Sequence, residues 1–167
     1  KRASKKHTYS FVVNFTFENN NPITFWESNN LILQGLIPVT SQTTYKLKQL
    51  KETKSNNIDA VFKHFWILNK NNHVYSTFGN SYVAQSFITN DSQELNNGTI
   101  NDFNNSGFGN NLAFKLNDLF LGIHYKFRTG IFTFKQGLLV HFYNWEINQS
   151  TKIDNNKIVI LPDFSAK

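Results

Sequence analysis

Few residues in this chain have the type and spacing that chemistry requires. Its five histidines are His7, His64, His73, His124 and His141, and no two fall at metal-binding spacing on one local element. They read as polar strand positions and not as ligands. The eleven acidic residues are scattered, with Asp59, Asp91, Asp102, Asp118, Asp154 and Asp163 mostly near turns or loops. A carboxylate pair for hydrolysis would have to assemble from distant segments, and no spacing asks for one. Cysteine is absent, which excludes disulfides and thiolate metal sites. No phosphate-cradling glycine loop, Walker lysine or nucleophile elbow occurs, and Gly107-Phe108-Gly109 is a loop signal only. The expectation is therefore a protein that is not an enzyme and has no metal, cofactor or nucleic-acid partner. The basic run Lys1–Lys6, like the net charge of +6, reads first as solvated surface and second as an anionic contact.

The elements that must position these groups are strands. Aromatic residues make up 16% of the 167, with 17 Phe, 6 Tyr and 3 Trp, whereas charged residues reach only 17%. Polarity comes mainly from asparagine, serine and threonine, so long strands with one aromatic face and one uncharged polar face would account for the mixture. No stretch approaches the roughly 18 unbroken apolar residues of a membrane helix, since Gly122, His124 and Lys126 interrupt even Leu119–Phe127. A membrane protein of this composition has to be a barrel. The N-terminus alternates after its basic start and is not a signal peptide.

From His7 to Phe17 the alternation is nearly complete, with Tyr9, Phe11, Val13, Phe15 and Phe17 on one face. That matches the roughly 9–11 residues of a tilted bilayer-crossing strand. Two strands of uncertain register are expected in 23–52, the second around Thr43–Lys51, followed by strands over Ile58–Leu68 and His73–Ile88 joined at Asn69–Asn72. Further strands are expected over Leu119–Phe127, Ile131–Trp145 and from Ile158, with a turn at Arg128–Gly130. Thr89–Gly107 and Asn148–Lys157 read as long polar loops. Short turns alternating with long loops is the asymmetry of outer-membrane barrels, so the short turns should share one end of the sheet and the long loops the other. Trp26, Trp66, Trp145 and the tyrosines read as an interfacial girdle in preference to sugar-stacking platforms.

Several short words then become informative: Gly107-Phe108-Gly109-Asn110-Asn111, Asn117-Asp118-Leu119-Phe120-Leu121-Gly122-Ile123-His124-Tyr125-Lys126-Phe127, Phe132-Thr133-Phe134-Lys135-Gln136-Gly137-Leu138, and Leu161-Pro162. With their strand-turn-strand setting, they resemble the outer-membrane barrel domain of TonB-dependent receptors, in the group with a carboxypeptidase-regulatory-like N-terminal domain. The resemblance covers most of the chain from about His7. It implies a barrel of about 22 strands, occluded by a plug, that imports bulky nutrients with energy passed from the TonB complex. Implied partners are outer-membrane lipid, the remaining strands, the plug and the TonB complex, with a surface lipoprotein left open. No plug or TonB-contacting segment is read here, and no functional residue of the family can be placed.

The resulting expectation is an all-β, antiparallel transmembrane barrel in the bacterial outer membrane. Residues 1–167 would be one partial barrel domain supplying about eight strands. Phe11, Phe15, Phe62, Leu121, Ile123, Tyr125, Phe134, Val140 and Phe142 would face lipid. Two alternatives stand beside it: a complete small eight-stranded barrel, and a soluble glycan-binding β-sandwich, in which alternation arises because one face of each sheet is buried. The ending Asp163-Phe164-Ser165-Ala166-Lys167 favours an internal excerpt over the small barrel.

Overall fold

A computed structural model describes residues 5–31 and 35–167, apart from the side chain of Asn105. Most of the basic run Lys1–Lys6 and the middle of the apolar piece Leu31–Ile37 lie outside the described residues. The strands are β1 (His7–Asn20), β2 (Ile23–Ser28), β3 (Tyr45–Ile67), β4 (Asn72–Glu94), β5 (Ile100–Asp102), β6 (Asn110–Thr129), β7 (Phe132–Asn148) and β8 (Lys152–Ala166). They form one antiparallel sheet of eight strands in the order β1-β3-β4-β6-β7-β8, with β2 also on β3 and β5 also on β4. The sheet is open, with β1 and β8 at the two ends of that order.

Sequence neighbours pair with sequence neighbours, as short connections favour. β1 and β2 lie end to end along the same edge of β3 without a change of register, from Asn20↔Thr53 to Ile23↔Leu50. Between them Pro22 has no N–H to donate, a defect that an edge strand tolerates; its carbonyl still accepts from the Lys51 N–H at 3.0 Å. The β3–β4 turn is closed by Asn69, whose Oδ1 accepts from the Asn71 N–H (2.9 Å) and from Asn72 Nδ2 (2.8 Å). The β6–β7 turn centres on Gly130-Ile131, because Thr129 pairs with Phe132 and Gly130 sits at φ 59°.

Several strands run past their expected ends. The segments expected as separate strands over Thr43–Lys51 and Ile58–Leu68 are one strand, β3, and β3 and β4 each have 23 residues. Most of the loop expected over Asn148–Lys157 is strand, so β8 starts at Lys152 and not at Ile158. The loop expected over Thr89–Gly107 contains the end of β4, then β5 and a 3-10 turn at Phe103–Ser106. These extensions are mostly polar on both faces. Outside an apolar environment a paired strand needs no alternation, so periodicity does not mark it.

Among the described residues the buried large side chains are Tyr45, Leu47 and Phe103, with Thr89 and Gln93 beside them. All belong to the sheet end away from the β3–β4 and β6–β7 turns. Elsewhere the sheet is one layer thick, and its tightest packing is ring against glycine. Gly79 pairs with Phe120, and a Cβ at Gly79 would overlap the tip of the Phe120 ring. Gly79→Val is therefore expected to destabilise the folded protein by about 1–3 kcal/mol through overpacking. Phe120→Ala in the same chain should restore part of the loss. Urea titration of the folded protein measures both, and a neutral Gly79→Val would show that the ring does not rest there.

Candidate functional site

The sheet has two chemically distinct faces. Residues paired across strands share a face, and so do residues two apart along a strand. One cross-strand row reads Phe11, Phe62, Phe78, Leu121, Val140, Ile160. Phe15, Ile123, Tyr125, Phe134 and Phe142 stand an even number of positions from members of this row on the same strands. Every residue expected to face lipid thus lies on one face, although they come from four strands. Phe11 is 68% exposed, Phe15 64% and Ile123 56%; Tyr125, Phe134 and Val140 are half-buried among their neighbours. Among the described residues no second sheet or helix covers this band.

The band has edges. Towards the long connections it ends at a row of Tyr82, Asn117, Asn144 and Asn156. Beyond that row Glu146 pairs with Lys152 at 3.0 Å and Lys115 at 3.8 Å. The hydrogen bond from Lys152 holds the Glu146 carboxyl below its ordinary range, and the same bond holds the Lys152 ammonium above its own. Towards the short turns the band ends in amphipathic rings. His7 Nδ1 lies 3.0 Å from His64 Nε2, His64 stacks on Tyr9 at 4.7 Å, and His7 on Trp66 at 5.5 Å. Between the edges each strand contributes about nine residues, a rise of ~30 Å at ~3.3 Å per residue. At a strand tilt of ~40° that is ~23 Å, close to the ~25 Å apolar band of a transmembrane barrel. The girdle reading fits Trp66 but neither Trp26, which pairs with Leu47 on the opposite face, nor Trp145. Trp145 pairs with Leu116 and Asn155, which puts it on the opposite face.

That opposite face carries the ionisable groups. Ser81 Oγ donates to Asp59 at 2.5 Å, and His141 Nδ1 lies 2.8 and 2.9 Å from the two Asp118 oxygens while its ring stacks on Tyr143. Asp163 holds Lys135 at 2.6 Å and lies 3.4 Å from His124 Nε2. The His124 ring lies over Gly137, where a Cβ would overlap it. The described residues include no group of three or more His, Cys, Asp or Glu side chains suited to a metal ion. The histidine and Asp–His pairs were not readable from local spacing because each joins different strands. The turn gives a usable signal all the same: once Gly130-Ile131 is the turn, Asp118 must lie opposite Tyr143, with His141 on the same face.

At the end with the long connections, the segment 35–44 is clasped onto the polar face. Gln93, fully buried, accepts from the Thr40 N–H at 2.7 Å and donates to the Thr40 carbonyl at 2.8 Å. Asn101 Nδ2 adds a bond to Thr40 Oγ1 at 3.3 Å, and the Asn96 N–H donates to Gln42 at 3.0 Å. Phe103 and Leu47 fill the space beneath.

No protein-family model matches the chain, and no curated protein sequence matches it. Among solved structures, the crystal structure of the ferric citrate transporter FecA in the unliganded form is similar, with a TM-score of 0.57 and 11% identity. The match covers 99% of this chain and 23% of that one. At that identity the likeness is one of fold.

Gln93→Leu removes both hydrogen bonds to the Thr40 backbone, which is expected to cost about 1 kcal/mol locally. Limited proteolysis should then cut within 35–44 sooner, while the long strands stay resistant. Cleavage at the wild-type rate would show that the clasp does not hold this segment.

Proposed function

We propose that this chain is a section of the wall of an outer-membrane β-barrel, in a transporter of the TonB-dependent receptor kind. One observation carries the reading: an exposed apolar band of bilayer height runs without a break in register across six strand positions, backed by a polar, charged face. A water-soluble protein seldom exposes so large a contiguous apolar surface, and a barrel wall requires one. The fold likeness to a ferric citrate transporter, of which this chain matches 23%, agrees with a wall section of a larger barrel. The open sheet agrees too, because β1 and β8 would pair with further strands. The short sequence words that resemble those of TonB-dependent receptors add to it.

On this reading Phe11, Phe15, Phe62, Leu121, Ile123, Tyr125, Phe134, Val140 and Phe142 contact lipid, and the polar face lines the interior against a plug. The transporter is not an enzyme; it draws its energy from the TonB complex. The β3–β4 and β6–β7 turns face the periplasm, and the longer connections face outward, where a surface lipoprotein would dock.

The whole protein containing this chain is expected to sediment with outer membranes and to shift its gel mobility on heating in SDS. Recovery as a soluble monomer without detergent would overturn the proposal. Ile123→Arg is expected to destabilise the barrel by about 2–4 kcal/mol if lipid covers that position. Thr77→Arg, at similar depth on the polar face (Thr77 pairs with Gly122), should cost much less. Equal losses in urea titrations from lipid vesicles would show that both faces are wet or both are buried.

A further inference from the structure

The polar face holds a second feature that the transport reading does not use. Near the short turns, a concavity of about 610 Å³ is lined by Lys63, Lys126, Lys135 and His124, with the hydroxyls of Tyr75 and Thr133 among them. Lys126 and Lys135 stand directly opposite each other across β6 and β7. Like charges in directly opposed positions destabilise a sheet. Asp163 beside it is held by Lys135 and leans on His124. Among the described residues no carboxylate oxygen lies within 4.0 Å of Lys63 or Lys126. Lysines from β3, β6 and β7 therefore line one concavity, and of these Lys135 is bonded to a carboxylate. His124 is fixed between Gly137 and Asp163, as a preorganised donor would be.

We infer that this concavity is a binding site for a compact multivalent oxyanion, a phosphate or polycarboxylate group seated between Lys126 and Lys135 and reached by Lys63. Such a guest would relieve the opposed charges and accept hydrogen bonds from the ammonium, imidazole and hydroxyl donors together. The proposal takes from the barrel reading only that this face is wet. The concave shape and the inward hydroxyls favour a small ion over an acidic protein surface.

Calorimetric titration of the whole protein in detergent at low salt, with inorganic pyrophosphate in one arm and tricarballylate in the other, tests it. Saturable binding of either is expected, and the tighter arm identifies phosphate or carboxylate as the preferred chemistry. Raised salt should weaken it. Lys126→Gln with Lys135→Gln should weaken binding about tenfold or more, whereas Lys157→Gln, on the same face at the far end of β8, should leave it unchanged. Heat-shifted gel mobility verifies that each variant is folded. No saturable binding in either arm overturns the proposal, as does an equal loss with Lys157→Gln, or tighter binding of an acidic peptide than of both ions. Each of these can occur in a protein that still behaves as a barrel, and a detergent-independent soluble protein would fail the barrel reading instead.

Discussion

The structure depends on an unbroken hydrogen-bonded register. From β1 to β8 each strand pairs with the next without a recorded slip, so a residue's face is inherited across the whole sheet. A single-residue slip anywhere would turn every side chain beyond it to the other side. Phe11 and Ile160 share a face only because five successive pairings all keep parity. In a single-layer sheet no core corrects an error, so the backbone ladder and its two ends carry the order that packing carries in a globular domain.

Because the ladder fixes the faces, side chains are free to specialise. The apolar face packs its rings sideways, Phe127 on Phe134 at 5.1 Å for example, and leaves their outer surfaces bare. Its few polar side chains pair with each other, as Asn80 does with Asn117 at 2.8 Å; away from water an unpaired amide would be costly. The polar face gathers charge into local pairs, Asp118 with His141 and Asp163 with Lys135. Glycine opposite an aromatic ring recurs there, at Gly79 under Phe120 and Gly137 under His124. The ring covers backbone that the glycine leaves bare and becomes fixed in doing so.

The end with the long connections follows different physics. There β2, the outer halves of β3 and β4, β5 and the turn at Phe103 bury a small core, and Gln93 clasps 35–44 by its backbone. Side-chain amides dominate these bonds because they satisfy loop backbone without the charge that would have to be neutralised. The long sheet and this cap share β3 and β4, which run through both.

The sequence by itself determined the strand class, the faces of the apolar strands and the position of the short turns. In β1, β6 and β7 the alternation of Phe, Leu and Ile with small polar residues is dictated by one apolar and one wet surroundings, and that contrast is written locally. The full length of β3, β4 and β8 was not legible, because beyond the apolar band most residues on both faces are polar and Lys152–Lys157 needs no pattern to remain a strand. Nor was Trp145's place on the polar face, which one-residue parity decides and composition does not. Tertiary structure alone decided which charges meet. Lys126 opposite Lys135, His141 on Asp118 and His7 beside His64 are products of strand registration, set by turns tens of residues away from some of the pairs they create.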